Sequence, residues 1–176
     1  ITIDDTTSKT ADILNIKVED ATSAIYFVKA ISSTTTINGG TVNLTGTSQR
    51  GSLYGLCYST EVYNDAVLNI DLSDEGNNAY ISACDYPLSI HTSSPVSVSV
   101  NSSSSNSRAM HSCYYYGTGA LNISALGNAK AVYSTFSVDI AASGPVNVKG
   151  YISGKGFNTG KWKVRGYDNY IWYNNV

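Results

Sequence analysis

The chain has 176 residues, enough for one domain with a sizeable core, and its 11 basic and 13 acidic residues leave a formal net charge of −2. With charged residues only 14% of the chain there is no basic stripe for nucleic acid, and no apolar run approaches the roughly 20 residues of a membrane helix. Fifteen Gly, fourteen Tyr and abundant Ser, Thr and Asn stand where strong helix formers would be, which reads as all-β.

Residues 1–12, with Asp4, Asp5 and a Thr/Ser-rich run, read as a lead-in strand or cap. The opening at Ile1, with neither a basic nor an apolar leader, reads as a mature or excised chain. From residue 13 onward an apolar-Asn-apolar triplet recurs as Leu14-Asn15-Ile16, Val42-Asn43-Leu44, Leu68-Asn69-Ile70, Leu121-Asn122-Ile123 and Val146-Asn147-Val148, with Val96-Ser97-Val98 filling the gap. Its centres, Asn15, Asn43, Asn69, Ser97, Asn122 and Asn147, advance in nearly equal steps. A fixed period of roughly 20 to 50 residues marks a solenoid or array, and three short strands with three turns per period is the unit of a parallel β-helix. About six coils are expected over residues 13–150.

Coil one reads as strands 13–18, 24–28 and 34–37, closing on Asn38-Gly39-Gly40. Coil two repeats the order at 42–44, 53–57 and 61–63, and coil three at 67–72, 80–84 and 88–91. Coil four has strands from Val96 and over 110–114, but its third strand reads as reduced to residues 116–119. Coil five restores the pattern at 120–125, 131–136 and 138–141. Residues 151–176, Gly-rich and then aromatic and basic around Trp162 to Arg165 and Tyr170 to Tyr173, read as a C-terminal cap over the open core.

Side chains alternate along a strand, so the triplet yields two inner aliphatic columns and an outer column Asn15, Asn43, Asn69, Ser97, Asn122, Asn147. Stacked in register, the amides can hydrogen-bond to one another. The second strand is ambiguous. Placing Ile25, Met110 and Val132 inside sends Tyr26, His111 and Tyr133 out, but placing Cys84 and Cys113 inside requires the opposite register unless a bulge intervenes. Cys57, Cys84 and Cys113 are an odd set at spacings that match the period, and read as buried or half-buried thiols at one position of neighbouring coils, with no disulfide and no metal-ligand spacing. Three N-glycosylation sequons begin at Asn43, Asn101 and Asn122, a number that chance explains in this composition.

For chemistry, Glu19 and Asp20 share a turn position with Asp74 and Glu75 two coils on, about 10 Å away at sheet spacing. Asp71, Asp74 and Glu75 are a weak Ca²⁺ candidate, and otherwise no cofactor is expected. His91 and His111 carry no nucleophile or acid motif around them. The aromatic set Tyr54, Tyr58, Tyr114, Tyr115, Tyr116 and Tyr133 offers apolar ring faces with polar tips, on which sugars can stack while Asn43, Asn69 and Asn122 supply hydrogen bonds. The bland counterpart is that the rings fill corners and the amides hold register.

The apolar-Asn-apolar strand, the Gly-Gly and Ser-x-Pro corners and the Ala-Ile-Tyr and Ala-Val-Tyr of the second strand resemble those of secreted bacterial β-helix repeat proteins, the cell-surface, pectate-lyase-like solenoids. The resemblance implies a right-handed coil, a secreted or surface location and, in some members, carbohydrate binding without cleavage. It transfers no active site. The expectation is thus a non-catalytic parallel β-helix that binds polysaccharide or a cell-wall or host glycan, its oligomeric state open. A structural stalk or adhesin segment, indifferent to Tyr115→Ala and Tyr133→Ala, is one alternative. A polysaccharide lyase or glycoside hydrolase, inactivated by Asp74→Asn or Glu75→Gln, is the other.

Overall fold

A computed structural model describes residues 2–4, 13–29, 34–133, 139–140, 143–153, 163–164 and 169–172, whose regular structure is all strand and parallel, wound as about five stacked turns of a β-solenoid. Strands are numbered in chain order. The first sheet contains the recurring triplet and comprises β2 (Ile13–Ala21), β5 (Thr41–Ser48), β8 (Val67–Asp74), β10 (Val96–Ser102), β12 (Leu121–Gly127), β15 (Val146–Lys149) and β18 (Asn169–Trp172), stacked in that order.

Its register is the one the period requires. Leu14, Val42, Leu68, Val96, Leu121 and Val146 pair in one column and Ile16, Leu44, Ile70, Val98, Ile123 and Val148 in another. Apart from Leu14 and Ile16 on the edge strand, both columns are buried. A third inner column, Val18, Gly46, Leu72, Val100 and Ala125, contains a glycine that the core requires on space grounds. A Cβ at Gly46 would lie 2.7 Å from the Phe27 ring, which crosses the interior from the opposite sheet.

The second sheet closes the coil. In coils one and two it consists of separate short strands, β3 (Ile25–Val28) and β4 (Thr35–Asn38), then β6 (Leu53–Leu56) and β7 (Thr60–Tyr63). In coils three and four each pair fuses into one strand, β9 (Ile81–Ile90) and β11 (Arg108–Tyr115), and coil five separates again into β13 (Lys130–Tyr133) and β14 (Asp139–Ile140). The third strand of coil four is therefore present, not reduced. Tyr114 and Tyr115 pair with Ser89 and Ile90 on one side and with Asp139 and Ile140 on the other.

The register conflict is resolved by a bulge. Cys84 pairs with Met110 but Pro87 with Ser112, so β9 carries one residue more than β11 between these points. Cys84, Met110 and Cys113 can then all face the core, and all are fully buried. The two Ala-apolar-Tyr motifs do not occupy one position, however. Ile25 pairs with Leu53 and Leu53 with Ile81, whereas Val132 pairs with Met110 and belongs to the column of Val28, Leu56 and Cys84, three residues farther along. Nor do the thiols form a column. Cys84 lies beside Leu56 and Met110, Cys113 beside Leu88, and Cys57 follows β6; all three are free and buried.

At the start, β1 (Thr2–Asp4) pairs with β4, providing the expected lead-in strand. Residues 5–12 lie outside the described set, as do Trp162, Arg165 and Tyr173 of the expected cap. Where the C-terminal backbone is described, it continues the ladders instead of turning across them. β16 (Tyr151–Ser153), β17 (Lys163–Val164) and β18 each add a parallel strand to β13, β14 and β15.

Candidate functional site

Outward positions of the first sheet hold the amide column. Asn43 Nδ2 donates to Asn15 Oδ1 at 2.7 Å, Asn69 Nδ2 to Asn43 Oδ1 at 2.8 Å and Asn147 Nδ2 to Asn122 Oδ1 at 2.9 Å, with Ser97 interrupting the series. The amides of Asn43, Asn69 and Asn122 thus hydrogen-bond along the stack, on a different sheet from the tyrosines. The two halves of the expected glycan surface do not converge, because outward side chains of the two sheets leave the coil in different directions.

The weak metal candidates are also separated. Asp71 stands exposed on the outer face of β8, while Asp74 closes the corner after it. Asp74 Oδ1 accepts from Gly76 N at 2.8 Å, and its Oδ2 from Ser102 Oγ at 2.7 Å and Ser103 N at 3.0 Å. A carboxylate so filled by the next coil is a corner clamp. Glu75 reaches back to Asp20 across the intervening rung, so these side chains meet although their backbones are two rungs apart; partial desolvation, then the hydrogen bond and charge of Asp20, raise the Glu75 carboxyl above its usual range. Among the described residues no group of three or more His, Cys, Asp or Glu is placed to hold a metal.

Tyr115 is in the core rather than at the surface. It belongs to the inward column Ile37, Val62, Ile90, Tyr115, and its hydroxyl donates to Gly119 O. Gly117 leaves room for it, since a Cβ there would lie 2.8 Å from the ring and 2.3 Å from Thr92 O. Alternation then turns Tyr114 outward in the column of Thr36, Glu61 and Ser89, and Tyr116 outward beyond it.

The remaining tyrosines build the outer face of the second sheet as ring ladders. Tyr26 stacks on Tyr54 with centroids 4.6 Å apart, and Tyr54 meets Tyr80 at 5.5 Å. Tyr58 stacks on Tyr86 at 5.1 Å, and Tyr63, His91 and Tyr116 form a third series at 4.9 and 5.4 Å. These distances approximate the rung spacing of about 4.8 Å, so a ring inside a ladder gives its faces to its neighbours. Tyr86, in the bulged stretch of β9, ends its ladder with a ring as exposed as those of Tyr26 and Tyr116 at the ends of theirs. Among the described residues its ring stacks on Tyr58 alone, and it remains 43% exposed.

Beside that bulge is a partly buried polar cluster. Arg108 pairs with Asp85, and its Nε donates to Ser82 Oγ at 3.2 Å. Ser82 Oγ donates to Asp85 Oδ1 at 3.0 Å and Tyr80 OH to the same oxygen at 3.4 Å. The guanidinium carbon lies 5.7 Å from the ring centroids of both Tyr80 and Tyr133, while Lys130 Nζ is 5.2 Å from the Tyr133 ring and donates to Ser105 O. Burial, then Arg108, lowers the pKa of His111 and of Lys130, and burial raises that of Tyr80. The cluster therefore presents fixed donors, a fixed carboxylate and flat rings, a set suited to hydroxyl-rich ligands.

Of the expected residues, Tyr54, Tyr58, Tyr114, Tyr116 and Tyr133 have some exposure. The sequence reading turned Tyr26 outward without giving it a role, and missed Tyr80, Ser82, Tyr86 and Arg108 as parts of this face. Part of the signal was available: Tyr26 and Tyr54, like Tyr58 and Tyr86, stand one period apart. Compared with family models, curated proteins and solved structures, the chain has no match.

Proposed function

We infer that the chain is a non-catalytic carbohydrate-binding solenoid of a secreted or cell-surface bacterial protein, which takes a polysaccharide on the outer face of the second sheet. The observation that carries this reading is the open Tyr86 ring next to the Ser82, Asp85 and Arg108 cluster. A pyranose stacks its C–H face on an aromatic ring while its hydroxyls exchange hydrogen bonds with a fixed ion pair. Tyr54, Tyr58 and Tyr133 contribute ring edges and hydroxyls along the same face, and the amide column of the first sheet is left to hold register.

The test is a glycan array on the purified chain, followed by titration of any polysaccharide that binds and analysis for new reducing or unsaturated ends. Tyr86→Ala should weaken binding at least tenfold, about 1.4 kcal/mol, with the unfolding transition preserved. Binding unchanged by Tyr86→Ala and Arg108→Gln would remove this site, and cleavage products would replace binding with catalysis. A structural spacer is favoured by one feature, the ring-on-ring stacking of Tyr26 with Tyr54 and of Tyr63 with His91, and an array blank for every polysaccharide would select it.

A further inference from the structure

Among the described residues the first sheet ends on a strand without a further partner at both ends. Among the described residues nothing pairs with the N-terminal side of β2, nor with the C-terminal side of β18. The same holds for β1 and β3 at one end and for β16 and β17 at the other. An open parallel edge offers a row of backbone donors and acceptors to another strand.

The N-terminal rung shows what it lacks. Ile13 is 63% and Leu14 36% exposed, whereas the later members of Leu14's column, Val42, Leu68, Val96, Leu121 and Val146, are fully buried. The amide column also has a direction, each bond donated by the later Asn to the earlier one. Asn15 thus accepts from Asn43, and among the described residues its Nδ2 has no acceptor. A parallel strand added in front of β2 would cover Leu14 and receive that donor.

Charge indicates where such a strand comes from. Residues 1–21 hold Asp4, Asp5, Asp12, Glu19 and Asp20 against Lys9 and Lys17, a net −3. Residues 149–176 hold Lys149, Lys155, Lys161, Lys163 and Arg165 against Asp168, a net +4, although the whole chain is at −2. The acidic segment contains β1 and β2, and the basic one contains β16, β17 and β18. Both edges belong to sheets of a single strand direction, so an opposite end can dock without reversing the ladder.

We propose that the solenoid stacks end to end, the acidic N-terminal edge of one copy pairing in parallel with the basic C-terminal edge of a second copy of this chain. The contact is heterologous, so it leaves a free edge at each end and the stack is open-ended. Analytical ultracentrifugation of the full chain across a concentration series should show mass rising past the dimer, with assembly weakened at least tenfold at about 0.5 M salt, where charges are screened within a few ångströms.

Glu19→Lys with Asp20→Lys in one variant, and Lys149→Glu with Lys163→Glu in another, should each weaken assembly about tenfold alone. Mixed in equal amounts, the two should co-assemble into alternating stacks as tightly as the parent chain does. A monomer at every concentration overturns the proposal, as does a dimer that stops at two and ignores the Lys149 and Lys163 reversals, the signature of two N-terminal edges pairing symmetrically. Hydrogen exchange gives an independent reading. Protection, in dilute monomeric protein, of the β2 amides that point away from β5 would show the edge already covered within its own chain and would also overturn the proposal.

Discussion

The two sheets of this solenoid treat the same period differently. In the first, one register runs from β5 to β12 without a shift, with aliphatic side chains inside and amides, hydroxyls and the Asp71 carboxylate outside. In the second, strands fuse in coils three and four, a bulge inserts one residue near Tyr86, and the polar cluster of Arg108 gathers around it. A regular rung can only repeat its neighbour. Breaking the register brings side chains together that a strict ladder would keep in separate columns, and the candidate site lies at such a break.

If the regular sheet carries the fold, its core should be the costliest place to injure. Leu68→Ala, at a fully buried position in the middle of its column, should lower stability by about 3 kcal/mol, measured from the urea midpoint, with glycan binding unchanged below the transition. A loss under about 1 kcal/mol, well short of what a rigid cavity costs, would mean that the stack relaxes and that the column is not what holds the coils together.

Next in size is the corner between the sheets. Asp74→Ala removes the acceptor of Ser102 Oγ, Ser103 N and Gly76 N and should cost about 2 kcal/mol, equally with Ca²⁺ and with chelator present. A thermal midpoint of the parent chain that climbs with Ca²⁺, and does so only when Asp74 is intact, would restore Asp74 as a ligand.

A smaller effect tests the amide column by completing it. Ser97 is its one interruption between Asn69 and Asn122, so Ser97→Asn should add about 0.5 to 1 kcal/mol. Ser99→Asn, one outward position along, should add nothing. Equal gains at both sites would mean that amides stabilise this surface without any ladder.

The smallest effect belongs to the irregular sheet and depends on pH. The folded state holds His111 below its ordinary value of 6.5 through burial and the nearby Arg108. The unfolded chain therefore binds more protons as pH falls below about 6.5, and stability should decline in that direction, the loss complete once pH is below the folded value. His111→Gln should flatten this part of the stability-pH curve, read by urea unfolding at successive pH values. A slope that survives the substitution would assign it to other groups.

Much of the fold was legible in the sequence because the period is a local signal. Leu14, Val42, Leu68 and their counterparts are found by counting along the chain, and alternation then decides which side chains face inward. The same alternation separates Tyr114 from Tyr115 once Ile37, Val62 and Ile90 are recognised as the column of Tyr115, but a run of three tyrosines reads as one surface patch until the register is known. The surroundings of the metal and amide candidates were hidden for a related reason. Sequence spacing brought Asp74 near Glu75, and only the neighbouring coil revealed that Ser102 and Ser103 already occupy the Asp74 carboxylate.

Composition and the recurring triplet determined an all-β solenoid, its strand direction and the inner and outer columns of one sheet, since each follows from chain-local alternation and the need to bury the aliphatic positions together. Tertiary structure decided where β9 bulges against β11, which tyrosine is buried, and which side chains meet across coils at Arg108. Those depend on turn lengths in two coils at once, and a single residue of difference there moves every later side chain to the other face.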